Sequence, residues 1–308
     1  MPTRRAFLAA ALAQTAPQPV NIPGSILVHE HVLVDFIGAD KFSRDRYNLE
    51  DAFKVCRPYL EALKKHGCAR LQECTPNYLG RDPRLLRRLT EATGIDLWTN
   101  TGLYGARNHI FLPDYAKTET AEQLARRWLG ELKTGVDGMK PRFVKIGVND
   151  APLHPLDRKL VEAAAIVARE SGLTVASHTG GRGPAAVEQL EIFTSRKAPL
   201  AKFVWVHAQS EKDHAFHEKV ARAGAWVEFD GISASSAAWH RDCVLKMDQL
   251  GLIEKTLVSQ DAGWYRPQEP GGGAFRGFTY LYESFLPVIP RSLWDVLLVA
   301  NPKRAFGA

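Results

Sequence analysis

The chain has 308 residues, 45% hydrophobic and 24% charged, which is within the range of a single large globular domain. Forty Lys and Arg against 34 Asp and Glu leave a formal charge of +6, but the basic residues are scattered and form no stripe that would track a phosphate backbone. This argues against nucleic acid as a partner.

Residues 6–26 carry no charge but are interrupted by Pro17, Pro19, Asn21 and Pro23, so no membrane-spanning helix of about 20 apolar residues is expected. Arg4-Arg5, followed by Ala6-Phe7-Leu8 and an alanine-rich run to Ala13, has the form of a twin-arginine export signal. Ala11-Leu12-Ala13 supplies a small-x-small cleavage site. The expectation is a periplasmic or secreted protein, with residues 1–24 as signal and linker and 25–308 as the folded domain. The competing reading is an alanine-rich N-terminal helix on a cytoplasmic protein. Cys56, Cys68, Cys74 and Cys243 lack CxxC spacing and read as buried thiols; a disulfide stays open if the protein is exported.

Beyond the linker, apolar runs alternate with helix-patterned runs. Strands are expected near 25–29, 68–74, 95–101, 143–148, 173–177, 202–206, 225–229 and 256–260, and helices over 49–66, 83–93, 119–133, 157–171, 183–196, 212–223 and 236–250. In 157–171, Leu160, Ala163, Ala164, Val167 and Ala168 recur at spacings of three and four, an apolar stripe made to face a sheet. Eight strands alternating with helices predict a single-domain (β/α)8 TIM barrel. An open doubly wound sheet is the second choice, but no glycine-rich phosphate fingerprint follows the first strand.

The informative residues stand where these strands end. His29 and His31, in Val28-His29-Glu30-His31-Val32, lie two residues apart and point to one side of a strand, so both rings can converge on one cation. Lys145, His178, His207 and Asp261 each close a later apolar run. In a (β/α)8 barrel the active site is built at the C-terminal strand ends, and all six residues would then project into one mouth as a two-metal centre. Asp230, closing the run from Trp226 to Phe229, either bonds to a ligand or caps the strand. His214 and His217, in a polar helical stretch, are expected in solvent, and His109 on a loop is a candidate for the mouth.

These stations resemble the phosphotriesterase family of the amidohydrolase superfamily, over almost the whole chain after the signal. The stretch from Glu73 to Asp82 looks like the family's second-strand loop, Thr101-Gly102-Leu103-Tyr104 like its third, and Asn301-Pro302-Lys303-Arg304 like its C-terminal signature. The resemblance implies that His29, His31 and Asp261 hold the more buried of two divalent ions and His178 and His207 the more exposed one. Lys145 would bridge both after carboxylation by CO2, because a free ammonium has no lone pair to offer. Zinc is the first choice of metal, with Co, Mn or Fe as alternatives. The ions would activate a shared water to the attacking hydroxide, with Asp261 receiving its proton.

The implied substrate is a small-molecule ester: a lactone or carboxylic ester ahead of a phosphotriester. Quorum-quenching lactonases of the family carry an arginine after the aspartate beyond the seventh strand, and here Gly231 follows Asp230. Tyr104, Trp264 and Tyr265 are expected to line the entrance, with Trp239 a further candidate. The loop from Ala262 to Gly277, with its Gly271-Gly272-Gly273 run, is expected to set substrate choice. A homodimer is compatible with the resemblance. The alternative is a non-catalytic or weakly catalytic ligand-binding member of the family; a degenerate binder would be expected to lose one of these residues, and none is missing.

Overall fold

The computed structural model describes residues 20–180 and 182–307; the expected export signal lies outside them. Ten short parallel strands form its centre: β1 (Ser25–Leu33), β2 (Cys68–Glu73), β3 (Asp96–Trp98), β4 (Asn100–Thr101), β5 (Phe143–Val148), β6 (Val175–Thr179), β7 (Phe203–Val206), β8 (Trp226–Phe229), β9 (Thr256–Val258) and β10 (Gly263–Tyr265). They pair in two groups, β10-β1-β2-β3 and β4 through β9. Structurally these are eight staves. The expected strand 95–101 is broken at Thr99, so that β3 pairs with β2 and β4 with β5. The eighth stave is likewise broken, with β9 and β10 on either side of the residues around Asp261. At that break the Asp261 amide donates to the His29 carbonyl (3.0 Å) and the His29 amide to the Ser259 hydroxyl (3.0 Å).

Helices α1 (Leu49–Lys64), α2 (Pro83–Thr93), α3 (Asp114–Thr118), α4 (Ala121–Thr134), α5 (Pro155–Ser171), α6 (Gly183–Ser195), α7 (His214–Arg222), α8 (Ala237–Gln249) and α9 (Asn301–Phe306) complete the (β/α)8 fold. Local chemistry sets their starts. Asp82 accepts from the Arg84 amide ahead of α2, and Thr120 and Gln123 form a reciprocal capping box on α4, each cap worth about 1 kcal/mol. The five stripe residues of α5 are all buried against the sheet. A separate core fills the barrel's interior with Phe143, Trp226, Leu257 and Phe306 among others.

Three expectations are corrected. The first strand does not stop at His29 but continues to Leu33, because β10 gives it a partner in the register His31↔Gly263 and Leu33↔Tyr265. Only glycine permits that approach, since a Cβ on Gly263 would lie 1.7 Å from the His31 carbonyl oxygen, and its φ is +97°. Second, the periodicity gave no helix after residue 250, yet short turns from Leu281 to Ala300 lead into α9. Pro287 and Pro290 interrupt this segment and hide its period. The Asn301 side chain ties it back to the barrel, donating to the carbonyls of Ile253 (2.8 Å) and Thr256 (2.7 Å).

Third, His217 is not solvated. It is fully buried on α7, donates from Nε2 to the Ala208 carbonyl (2.7 Å) and packs on Trp205 and Phe229. Burial lowers its pKa to about 4. Between the unfolded value of about 6.5 and 4 the unfolded chain takes up a proton that the folded one refuses, so stability is lost as pH falls through that window. The full effect is about 3 kcal/mol. His217→Gln keeps the donor and should remove this part of the acid sensitivity. Urea melts at pH 7 and pH 4 that differ equally in both proteins would refute the assignment.

Candidate metal centre

Each ring of the His29–His31 pair has its Nδ1 side occupied by the barrel, which leaves Nε2 facing inward. His29 Nδ1 bonds to Glu228 (2.8 Å) and Asp230 (3.1 Å). His31 Nδ1 bonds to the Thr75 hydroxyl (2.7 Å), which in turn donates to Glu73. His207 has its Nδ1 on Asp230. These contacts assign the proton to Nδ1 in each ring and leave the Nε2 lone pairs of His29 and His31 facing the cavity, available to a cation. His178 is turned the other way. Its Nε2 is 3.0 Å from the Tyr104 hydroxyl, and its Nδ1 meets His207 Nε2 at 2.7 Å.

Asp261 completes the cluster from a left-handed backbone (φ 51°). Its Oδ1 stands 3.1 Å from His31 Nε2 and 3.8 Å from His29 Nε2, and His29, His207 and Asp261 offer ligand atoms within 4.8 Å of one another. Glu30, the middle residue of the motif, points away from the rings and fixes this turn. It accepts from the Ser259 hydroxyl (2.8 Å) and from the amides of Gln260 (3.0 Å) and Ala262 (2.7 Å). Lys145 rises from the middle of β5 and is 2% exposed, with no hydrogen-bond partner for Nζ among the described residues. An orphaned buried amine beside four imidazoles and a carboxylate suits a lysine modified to an anionic bridging ligand. The donor set as a whole suits two divalent ions.

Burial lowers the pKa of His29 to about 3, aided by the Lys145 charge, and burial also lowers His31 and His178. All three rings are therefore neutral and available as ligands at physiological pH. Burial opposes charge on His207 as well, but the Asp230 carboxylate outweighs it and raises the pKa. Burial likewise disfavours the Asp261 carboxylate, yet the surrounding imidazoles hold it well below the ordinary carboxylate range. In the Glu228–Asp230 pair, burial and the Asp230 charge push Glu228 up, while His207 and His29 hold Asp230 down against burial.

A cavity of about 250 Å³ opens over these groups, walled by Val34, Phe36, Leu79, Tyr104, Arg107 and Trp264. The sequence profile of the phosphotriesterase family matches residues 13–306. The chain belongs to the phosphotriesterase family. It is 26% identical over 294 residues to the phosphotriesterase homology protein of Escherichia coli, covering 92% of this chain and 98% of that one. It is 24% identical over 301 residues to the aryldialkylphosphatase of Saccharolobus solfataricus, covering 92% and 95%. A mutant of a phosphotriesterase-like lactonase from Deinococcus radiodurans superposes with a TM-score of 0.80 at 25% identity, covering 92% of this chain and 96% of that one.

Within this phosphotriesterase-family hydrolase, the six expected ligand residues and Tyr104 and Trp264 all line the one cavity. Trp264 is anchored by its indole N–H to the Asp261 carbonyl (3.0 Å). Tyr265 does not line it. As the next residue of β10 it points to the opposite side of the sheet, where its ring is buried and covers Gly272. Trp239 is also elsewhere, donating to the Gln209 carbonyl (2.8 Å) and stacking on His214. His109 bonds to Asp157 and lines a neighbouring cleft.

Asp230 turns out to bond to two candidate ligands and not to cap the strand. Glu228 was missed, although its signal was present: a glutamate inside the apolar run Trp226-Val227-Glu228-Phe229, two residues before Asp230 and so on the same face. The four cysteines are buried free thiols.

Proposed function

We propose that this hydrolase uses two divalent metal ions to cleave an ester-type bond, with a lactone or carboxylic ester ranked above a phosphotriester. The observation that carries the reading is the buried Nζ of Lys145, without a hydrogen-bond partner among the described residues, amid His29, His31, His178, His207 and Asp261. On this proposal the Lys145 nitrogen bonds to the carbon of CO2 and releases a proton, and the resulting carbamate would hold the two ions together with His29, His31, His178, His207 and Asp261. When bound, the ions, zinc in the first instance, acidify a water molecule and polarise the scissile carbonyl or phosphoryl group.

The chain's own groups do the rest. Asp261, whose carboxyl is held below the ordinary carboxylate range, would take up the proton of the attacking water. Glu228, Asp230 and the Thr75–Glu73 relay hold the imidazoles in one tautomer and orientation. The Tyr104 hydroxyl steadies His178 from the cavity side, and Trp264 and Phe36 form an apolar wall that excludes water from the bound acyl group.

Protein produced with zinc and bicarbonate should contain about two metals per chain and hydrolyse at least one class in a panel of lactones, aryl esters and phosphotriesters. One metal or none by elemental analysis would refute the proposal, and two metals without turnover would point to a ligand-binding protein. In the same panel Trp264→Ala should change relative kcat/KM among substrates by roughly one to two orders of magnitude. Tyr265→Ala should leave substrate preference alone and cost about 3–5 kcal/mol of stability, as for a large buried aromatic.

A further inference from the structure

Arg107 lines the cavity, and among the described residues it makes no ion pair. Its guanidinium lies over Phe36 at 5.1 Å and near Phe111 at 6.0 Å from the ring centroids, and the neighbouring cations are otherwise engaged. Arg266 is paired with Glu269 (2.9 Å), and Arg276 donates to the Gln260 carbonyl. Beyond β8 the loop offers Gly231 and no cation.

The backbone that presents this arginine is unusual. Arg107, Asn108 and His109 take φ values of 56°, 57° and 63°, three successive residues in the left-handed region that L side chains disfavour. Such a turn persists only where its surroundings over-determine it, and here they do. His109 Nε2 bonds to the buried Asp157 carboxylate (3.0 Å), and the Asn108 amide donates to the Asn149 side chain (3.2 Å). Asn149 also donates to the Gly105 carbonyl (3.0 Å) and to Asp157 (3.0 Å). The turn is therefore clamped to the segment that follows β5, the strand of Lys145. Successive ring contacts then run from the metal centre to the arginine: His31 to Trp264 at 5.6 Å, Trp264 to Phe36 at 5.5 Å, and Phe36 to the guanidinium.

We propose that Arg107 is a specificity-determining residue that reads an anionic group at the far end of the substrate. The preferred ester then carries a carboxylate, separated from the scissile bond by an apolar spacer lying along Trp264 and Phe36. This rests on the ester-hydrolase reading above. A guanidinium gives a carboxylate two parallel charge-assisted hydrogen bonds, whereas a neutral amide receives weaker ones.

The test compares two esters that differ only in a terminal carboxylate or carboxamide, with the metal-loaded protein and its Arg107→Gln and Arg107→Lys variants. In parallel, calorimetry measures binding of the matching methyl ketones, which cannot be hydrolysed. The parent protein should favour the carboxylate by roughly 10-fold to 100-fold in both kcat/KM and Kd. The ratio should collapse to within about 3-fold in Arg107→Gln and stay intermediate in Arg107→Lys. No preference in the parent would overturn the proposal. So would a preference that survives Arg107→Gln, since the carboxylate would then be ligating the metals. If neither ester is turned over while the ketones still discriminate through Arg107, the ester reading fails and the anion site stands.

Discussion

Lys145→Met should stabilise the metal-free protein while abolishing metal retention and hydrolysis together. Methionine fills nearly the same volume without the orphaned amine, and relieving a buried polar group of that kind is worth roughly 1–3 kcal/mol. The same change removes the group proposed to bridge the ions, whose Lewis acidity supplies several kcal/mol to the reaction, so activity should fall by about 10³-fold or more. Lys145→Ala leaves space instead, and small carboxylic acids such as propionate should restore part of its metal content and turnover. Denaturant melts with and without chelator, set beside elemental analysis, read both effects. A Lys145→Met protein that keeps two metals and full activity would remove this lysine from the centre.

Asp261→Asn should lower turnover of every substrate together, by about 10²-fold to 10⁴-fold, the range for loss of a positioned proton acceptor. The amide keeps the shape of the left-handed turn and its hydrogen bonds through Glu30 and Trp264, so the pocket is unchanged. It cannot accept the proton, and it weakens the ligand that stands 3.1 Å from His31. The ratios of kcat/KM among lactones, aryl esters and phosphotriesters should therefore stay within about 3-fold of the parent's. Ratios that shift as strongly as in Trp264→Ala would make Asp261 a contact for the substrate and not a part of the common chemistry.

The six candidate ligand residues that line the cavity were legible because each is a polar residue at the end of, or alternating within, an apolar run, and strand periodicity alone predicts where such side chains point. The same logic applied to Glu228 and Asp230 would have found the carboxylates behind His29 and His207. Other features are tertiary. Whether Trp264 or Tyr265 faces the cavity depends on a three-residue strand that exists only because Gly263 lets it reach β1. His217 looked solvated in a polar helix, yet α7 buries it against Trp205 and Phe229. The segment from Leu281 to Ala300 lost its period to two prolines, and Arg107 gave no signal at all, since a left-handed turn clamped from another loop leaves no local pattern.

The hydrogen bonds of Glu30 span about 230 positions of sequence. During synthesis the ribosome therefore releases His29 and His31 long before Asp261 and the turn that holds it. A partly made chain has two imidazoles on a lone strand and no carboxylate opposite them, so the more buried of the two proposed ions would lack its complete set of ligands until the last stave docks against the first. Contacts of such long range are the slow ones to form. Metal uptake should then coincide with the final closing step of folding, and the time course of ion capture during refolding would measure when the barrel becomes whole.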